Sequence, residues 1–264
     1  MYAFEYKRPA SVKDAVGAAA GDARYLAGGQ SLVQSMRLRL ASAPTLVDLG
    51  GIADLRAIQV DASSVTIGAM VTHASVARSR EVANAIPALA ELAAGIGDPM
   101  VRNMGTIGGS IANADPAADY PAAVVALDAT IRTDRRSIAA GDFFKGLFET
   151  ALEPGEMIQS VSFPIVRKAA YQKLRQPASR FALVGVFVAS GPNGPRVAVT
   201  GAGPTVFRVA EMEKALASNF STDAVSGIKV PAAGLSSDLH GSAEYRAAMI
   251  SVMAARAVAA AAAR

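Results

Sequence analysis

Ala27-Gly28-Gly29-Gln30-Ser31 and, about eighty residues further on, Thr106-Ile107-Gly108-Gly109-Ser110 are two runs in which paired glycines precede amide or hydroxyl side chains. Without a Cβ, the backbone can approach a ligand closely and reach positive φ, so consecutive N–H groups can converge on phosphate oxygens. Gln30, Ser31, Thr106 and Ser110 add neutral donors. Two such loops together read as a dinucleotide clamp that needs no lysine, and the G-x-x-x-x-G-K-S/T run of a P-loop is absent. Taken singly, each pair also reads as a tight turn or helix cap. What favours the clamp is that both loops follow apolar segments and carry polar residues straight after the glycines. The second loop leads into the acidic segment Asn113-Ala114-Asp115-Pro116-Ala117-Ala118-Asp119.

The elements that must position these loops follow from periodicity. Ser11 to Ala20 is an amphipathic stretch, Ala23 to Ala27 a short strand entering the first loop, and Leu32 to Leu40 a helix leaving it. Pro44 stops that helix and Thr45 to Leu49 forms the next strand. Val65 to Ala69 is a strand, and Thr72-His73-Ala74-Ser75 is the capped start of a helix, which makes His73 a structural rather than a catalytic residue. Pro87 to Ala94 reads as a helix, Gly95 to Pro99 as a loop, and Thr130 to Thr133 and Ile158 to Phe163 as strands. A boundary falls near Val166 to Ala169. Beyond it, Phe181 to Ala189 and Arg196 to Thr200 form a hairpin, followed by helices at Val209 to Ala217 and Ala243 to Ala263. Gly201-Ala202-Gly203 lacks a third glycine and precedes Pro204, so it reads as a turn.

Composition narrows the function classes. At 264 residues the chain accommodates two or three packed units. It is 52% hydrophobic and 18% charged, which suggests covered surface and hence partner chains. The net charge of +4 is small and forms no basic stripe, which argues against nucleic-acid binding. With no cysteine there is no disulfide, no thiolate nucleophile and no cysteine-ligated iron–sulfur cluster, and two histidines exclude a histidine-rich metal site. The N-terminus has no signal-peptide pattern, and no apolar run approaches the roughly 20 residues that span a bilayer, so the chain reads as cytoplasmic.

The residues resemble the FAD-binding medium subunit of the molybdenum hydroxylases, the family of aerobic carbon monoxide dehydrogenase, bacterial aldehyde and N-heterocycle dehydrogenases, and xanthine dehydrogenase. The resemblance is carried by Ala27 to Leu32, Met36-Arg37-Leu38-Arg39-Leu40, Leu46-Val47-Asp48, Arg102 to Ser110, Ala114 to Asp119, Thr150-Ala151-Leu152, Gly155-Glu156 and Ala178 to Val186. It implies an α+β fold, a two-subdomain flavin-binding unit of PCMH type over residues 1–167 (subdomains about 1–55 and 56–167), then a sheet-and-helix domain over 168–264. It implies FAD held by Ala27, Gly28, Gly29, Gln30, Ser31 and Leu32 and by Thr106, Ile107, Gly108, Gly109 and Ser110. Asp119 would accept a ribityl or ribose hydroxyl, or else serve as a helix-start carboxylate. Ile96 and Ile158 would pack on the rings, as ordinary core residues also would. Lys173 would lie near the isoalloxazine, unless it is a solvated surface lysine. Gln34-Ser35 and Gln176 depart from the proline and histidine of many relatives.

What the family implies for function is electron transfer. Substrate is hydroxylated at a molybdenum–pterin centre in a large subunit, and electrons pass through two 2Fe–2S clusters in a small subunit to FAD, the whole forming a dimer of heterotrimers. A cysteine-free chain fits that division of labour. Two other readings stay open: a free-standing FAD-dependent oxidase or reductase, for which no acid–base constellation is evident, and a non-catalytic assembly subunit stabilised by nucleotide.

Overall fold

The computed structural model describes all residues from Met1 to Arg264. Three main sheets, a two-stranded ribbon of Phe144–Gly146 with Glu149–Thr150, and the helices between them make an α+β architecture. The first sheet is parallel, with Thr45–Asp48 between Glu5–Lys7 and Arg24–Leu26. Parallel pairing requires crossovers, and the helices Val12–Ala18 and Leu32–Arg37 supply them. The second crossover places the first glycine loop at the carboxyl end of Arg24–Leu26, where ligands of open α/β sheets gather. The Leu32 helix is shorter than its pattern suggests, ending at Arg37 because Arg39 takes a left-handed φ of 60° well before Pro44.

The second sheet is antiparallel, in the order Ile58–Val60, Ser64–Gly68, Ile158–Pro164, Thr130–Thr133, Ser137–Ala139. Its central strand comes from late in the sequence and aligns Val161 with Ile67 on one side and Ile131 on the other. The loop read over Gly95 to Pro99 gives way at Pro99 to the helix Pro99–Met104, capped by the Asp98 carboxylate accepting from Val101 N–H at 2.9 Å, and the second glycine loop lies within the helix Ile107–Asn113. Thr106 caps the latter, its Oγ1 accepting from Gly109 N–H at 3.1 Å.

The third sheet is a meander of Lys168–Arg175, Ala182–Gly191, Gly194–Thr200 and Phe207–Arg208. Its central strand is apolar on both faces. Val184, Val186 and Val188 pack with the long helix Ala243–Ala262, while Phe187 and Ala189 join the core of the middle unit, where the fully buried helix Tyr120–Ala126 lies against the sheet. Strand alternation thus serves two layers at once. Ala243–Ala262 is, contrary to the sequence expectation, long and apolar enough to cross a bilayer by length and composition. It lies on the sheet instead, burying Ile250, Met253, Ala254, Ala257 and Val258. Arg246 within it donates to the carbonyls of Leu183 at 2.7 Å and Gly201 at 2.9 Å, clamping helix to sheet.

Candidate functional site

A cleft of about 400 Å³ opens where the three units meet. One wall is the loop Ala27–Leu32, the opposite wall the segment from Gly105 to Ser110, and the floor Glu156, Met157 and Ile158. Ile96 and Gly97 form a lip, fixed by Arg102 Nη1 donating to both of their carbonyls at 2.9 Å. Tyr25 ties the first sheet to the floor by donating its hydroxyl to Gly155 O at 2.9 Å, and burial pushes that phenol up to about 12, so it stays a donor. Of the sequence-predicted residues, all line the cleft except Ile107 and Lys173.

The two glycine loops are not equivalent. Along the first, the N–H groups of Gly28, Gly29, Gln30, Ser31 and Leu32 have no acceptor in the protein. Gly29 adopts φ of 72°, the one positive value among the four glycines of the two pairs. Gly28 is needed for contact, since a Cβ there would lie 2.1 Å from Met104 O. Along the second, the donors are already engaged. Ile107 N–H bonds Val71 O at 3.1 Å, Gly108 N–H bonds Ala69 O at 2.9 Å, and Ser110 N–H bonds Thr106 O at 3.0 Å. A Cβ on Gly108 would meet Ala69 Cβ at 2.5 Å, so this glycine seats the helix against the second sheet. The two loops therefore differ in what they offer: the first has free amides, the second hydroxyls and a rigid surface. Ile107 is fully buried in the core, the apolar partner that holds this helix down.

Asp119 lines the cleft but is 4% exposed, and its partners come from the third sheet. Tyr171 Oη donates to its Oδ1 at 2.5 Å, and Lys173 Nζ lies 2.9 Å from either oxygen. Burial pushes the Asp119 carboxyl up, while the Lys173 ammonium and the Tyr171 hydroxyl pull against it. Lys173 thus sits behind the cleft wall, its side chain 3% exposed, and acts on the cleft through Asp119. Asp115 also lines the cleft, its carboxyl raised by burial and opposed by the bond from Ala117 N–H.

Sequence reasoning missed several lining residues. Arg24 and Tyr25 belong to a strand too short to show alternation, His73 was assigned to structure, and Arg180 with Phe181 sits on the turn linking the first two strands of the third sheet. Arg180 has φ of 62°, a conformation uncommon for a residue with a Cβ, and Phe181 is 46% exposed at the rim. The one local signal was the Ser179-Arg180-Phe181 match already noted.

Glu156 in the floor has a fully buried carboxylate, held by Arg136 at 3.0 Å, by the Thr133 hydroxyl at 2.7 Å and by Glu153 N–H at 2.8 Å. The Arg136 bonds are the main cause holding its carboxyl down at about 2. A depressed carboxyl stabilises the fold above its unfolded value of 4.5, and that stabilisation disappears as pH falls toward 2. Glu156→Gln is expected to flatten the acid-side loss of stability, up to about 3 kcal/mol, in urea titrations across that window. An unchanged pH slope would remove Glu156 from this role.

The sequence family described as the FAD binding domain in molybdopterin dehydrogenase matches residues 2–166. The chain belongs to this family. Relatives of the FAD-binding family similar to it over nearly their whole length include the carbon monoxide dehydrogenase medium chain of Hydrogenophaga pseudoflava, 37% identical with 99% of this chain and 98% of that one covered. The nicotine 6-hydroxylase medium subunit of Paenarthrobacter nicotinovorans is 34% identical, with 99% and 98% covered. Among solved structures, carbon monoxide dehydrogenase from Hydrogenophaga pseudoflava superposes with a TM-score of 0.89 at 37% identity, covering 99% of this chain and 98% of that one. The fold and the family agree with the resemblance stated from the residues.

Proposed function

We propose that this chain is the flavin subunit of a molybdenum hydroxylase, taking electrons from 2Fe–2S clusters on a small partner subunit onto FAD and passing them to an external acceptor. Substrate oxidation belongs to a large molybdopterin subunit in this reading. The observation that carries it is the first loop, five consecutive amides without acceptors set around a glycine cradle in a cleft of a chain belonging to the FAD-binding family. Such a cradle fits a diphosphate.

Bound there, FAD supplies the redox chemistry of its isoalloxazine ring. The chain's residues bind and orient. The amides of Gly28 to Leu32 hold diphosphate oxygens, Thr106 and Ser110 donate hydroxyls, and Asp119, fixed by Tyr171 and Lys173, accepts from a sugar or ribityl hydroxyl. Ile96 and Ile158 give ring planes an apolar surface from lip and floor, excluding water on those sides.

The test is an absorbance spectrum of the native complex, with the acid-released cofactor identified and the copurifying chains sized. FAD, iron–sulfur bands and two further chains, one small and one large, support the reading. FAD without partner chains replaces it with a free-standing flavoenzyme, and no flavin at all returns the loops to turns.

A further inference from the structure

His73 begins the helix His73–Arg78, and its backbone N–H donates to Gly105 O at 2.9 Å, pinning the helix start beside the second cleft wall. The side chain lines the cleft although the residue is 5% exposed. Its Nδ1 is sealed from solvent and has no hydrogen-bond partner, and the hydroxyl of Tyr120, whose ring centroid is 5.4 Å away, is in the same condition. Nε2 has no protein partner either, but it is not sealed. Gly105 leaves it open, because a Cβ at that position would lie 2.6 Å from Nε2. Gly28 brings the first loop to the same spot, its own absent Cβ falling 2.8 Å from Gly105 Cα.

A buried polar side chain without partners destabilises a fold, and where one is retained beside a binding cleft a ligand is the natural partner. We propose that His73 is a cofactor-contacting donor, its Nε2–H joining the amides of Gly28 to Leu32 in holding the diphosphate of the dinucleotide. The inference rests on the FAD reading above. Burial, reinforced by the Arg102 cation, pushes the imidazole down to about 4, so the ring is neutral at pH 7 and carries one proton. On Nδ1 that proton would face no acceptor. On Nε2 it faces the cleft, where an anionic oxygen accepts it. Thr72 fixes the ring's helix by accepting from Ser75 N–H at 3.1 Å.

The experiment uses the full-length chain freed of flavin, as wild type, His73→Leu and His73→Gln. Leucine keeps the volume and removes the donor, whereas glutamine keeps a terminal N–H. Affinity is read for FAD by flavin fluorescence and for ADP, a diphosphate probe without isoalloxazine, by calorimetry, alongside the unfolding temperature of the flavin-free chain. The leucine variant is expected to weaken FAD and ADP alike by about tenfold to a hundredfold while unfolding at the same or a higher temperature, with glutamine restoring affinity to within about threefold. Leucine binding both probes as tightly as wild type would make His73 a core residue only. Weakened FAD with unchanged ADP would overturn the diphosphate contact. A wild type that binds no FAD would overturn the proposed function itself. Should the leucine variant not fold, nitrogen-15 NMR of the wild type decides. The chain's two histidines are readily told apart, and an Nε2 resonance of His73 that FAD leaves unmoved refutes the contact.

Discussion

Gly109→Asp is expected to leave the chain folded and to weaken FAD binding by about a hundredfold or more. Gly109 is the third helical residue after the Thr106 cap, a position where a carboxylate interacts favourably with the helix end, and glycine is a poor helix former. Its Cβ would lie 3.0 Å from Thr106 Oγ1 and 3.3 Å from Ala27 Cβ, directed across to the first loop. A charge placed there faces the diphosphate over a few ångströms, and such repulsion at an effective dielectric near 20 amounts to about 3–4 kcal/mol. The flavin-free variant should therefore stay folded, with only a small change in unfolding temperature as Thr106 and Ala27 shift by a few tenths of an ångström, while equilibrium titration shows the loss of affinity. Gly108→Ala is the contrasting control, since its methyl meets Ala69 and the damage falls on folding. Wild-type FAD affinity in Gly109→Asp would remove the diphosphate from between the loops.

Lys173→Met is expected to lower stability by about 3–5 kcal/mol, because it leaves the Asp119 carboxylate buried without its cation. In a chain of this size that corresponds to a fall of about 5–10 °C in unfolding temperature. Adding Asp119→Asn should recover much of the loss, since the buried charge is then gone as well. Denaturant titration of both single variants and the double variant gives the coupling directly. A loss below about 0.5 kcal/mol in Lys173→Met would be that of a surface lysine and would contradict the buried pair.

How much of this was readable from the chain alone differs by residue. The first glycine loop, its strand and its helix follow from local pattern, because a β–α–β crossover writes glycine, polar residues and an apolar period into one short stretch. Gly108 was singled out for close approach to a ligand, and the structure adds a packing reason that the sequence did not show. Its need for a bare Cα comes from Ala69, distant in sequence, and only the packed structure shows that its N–H is engaged. Lys173 could be read as a flavin neighbour or as a solvated lysine because strand Lys168–Arg175 carries mixed residues, and its burial depends on Asp119 arriving from another unit. His73 was read as structural from the Thr72 cap. That assignment was locally sound, yet the exposure of Nε2 depends on Gly105, more than a helix away in the chain.

The difference between the two glycine loops also writes a signal. Amides from Ile107 to Ser110 are locked into the fold and exchange their protons with water only when the structure opens, whereas those from Gly28 to Leu32 lack protein acceptors and exchange freely. Protection appearing across Gly28 to Leu32 on mixing with flavin, with none gained along Ile107 to Ser110, would make a short peptide of the chain a built-in gauge of cofactor loading, readable in the isolated subunit and in any larger assembly.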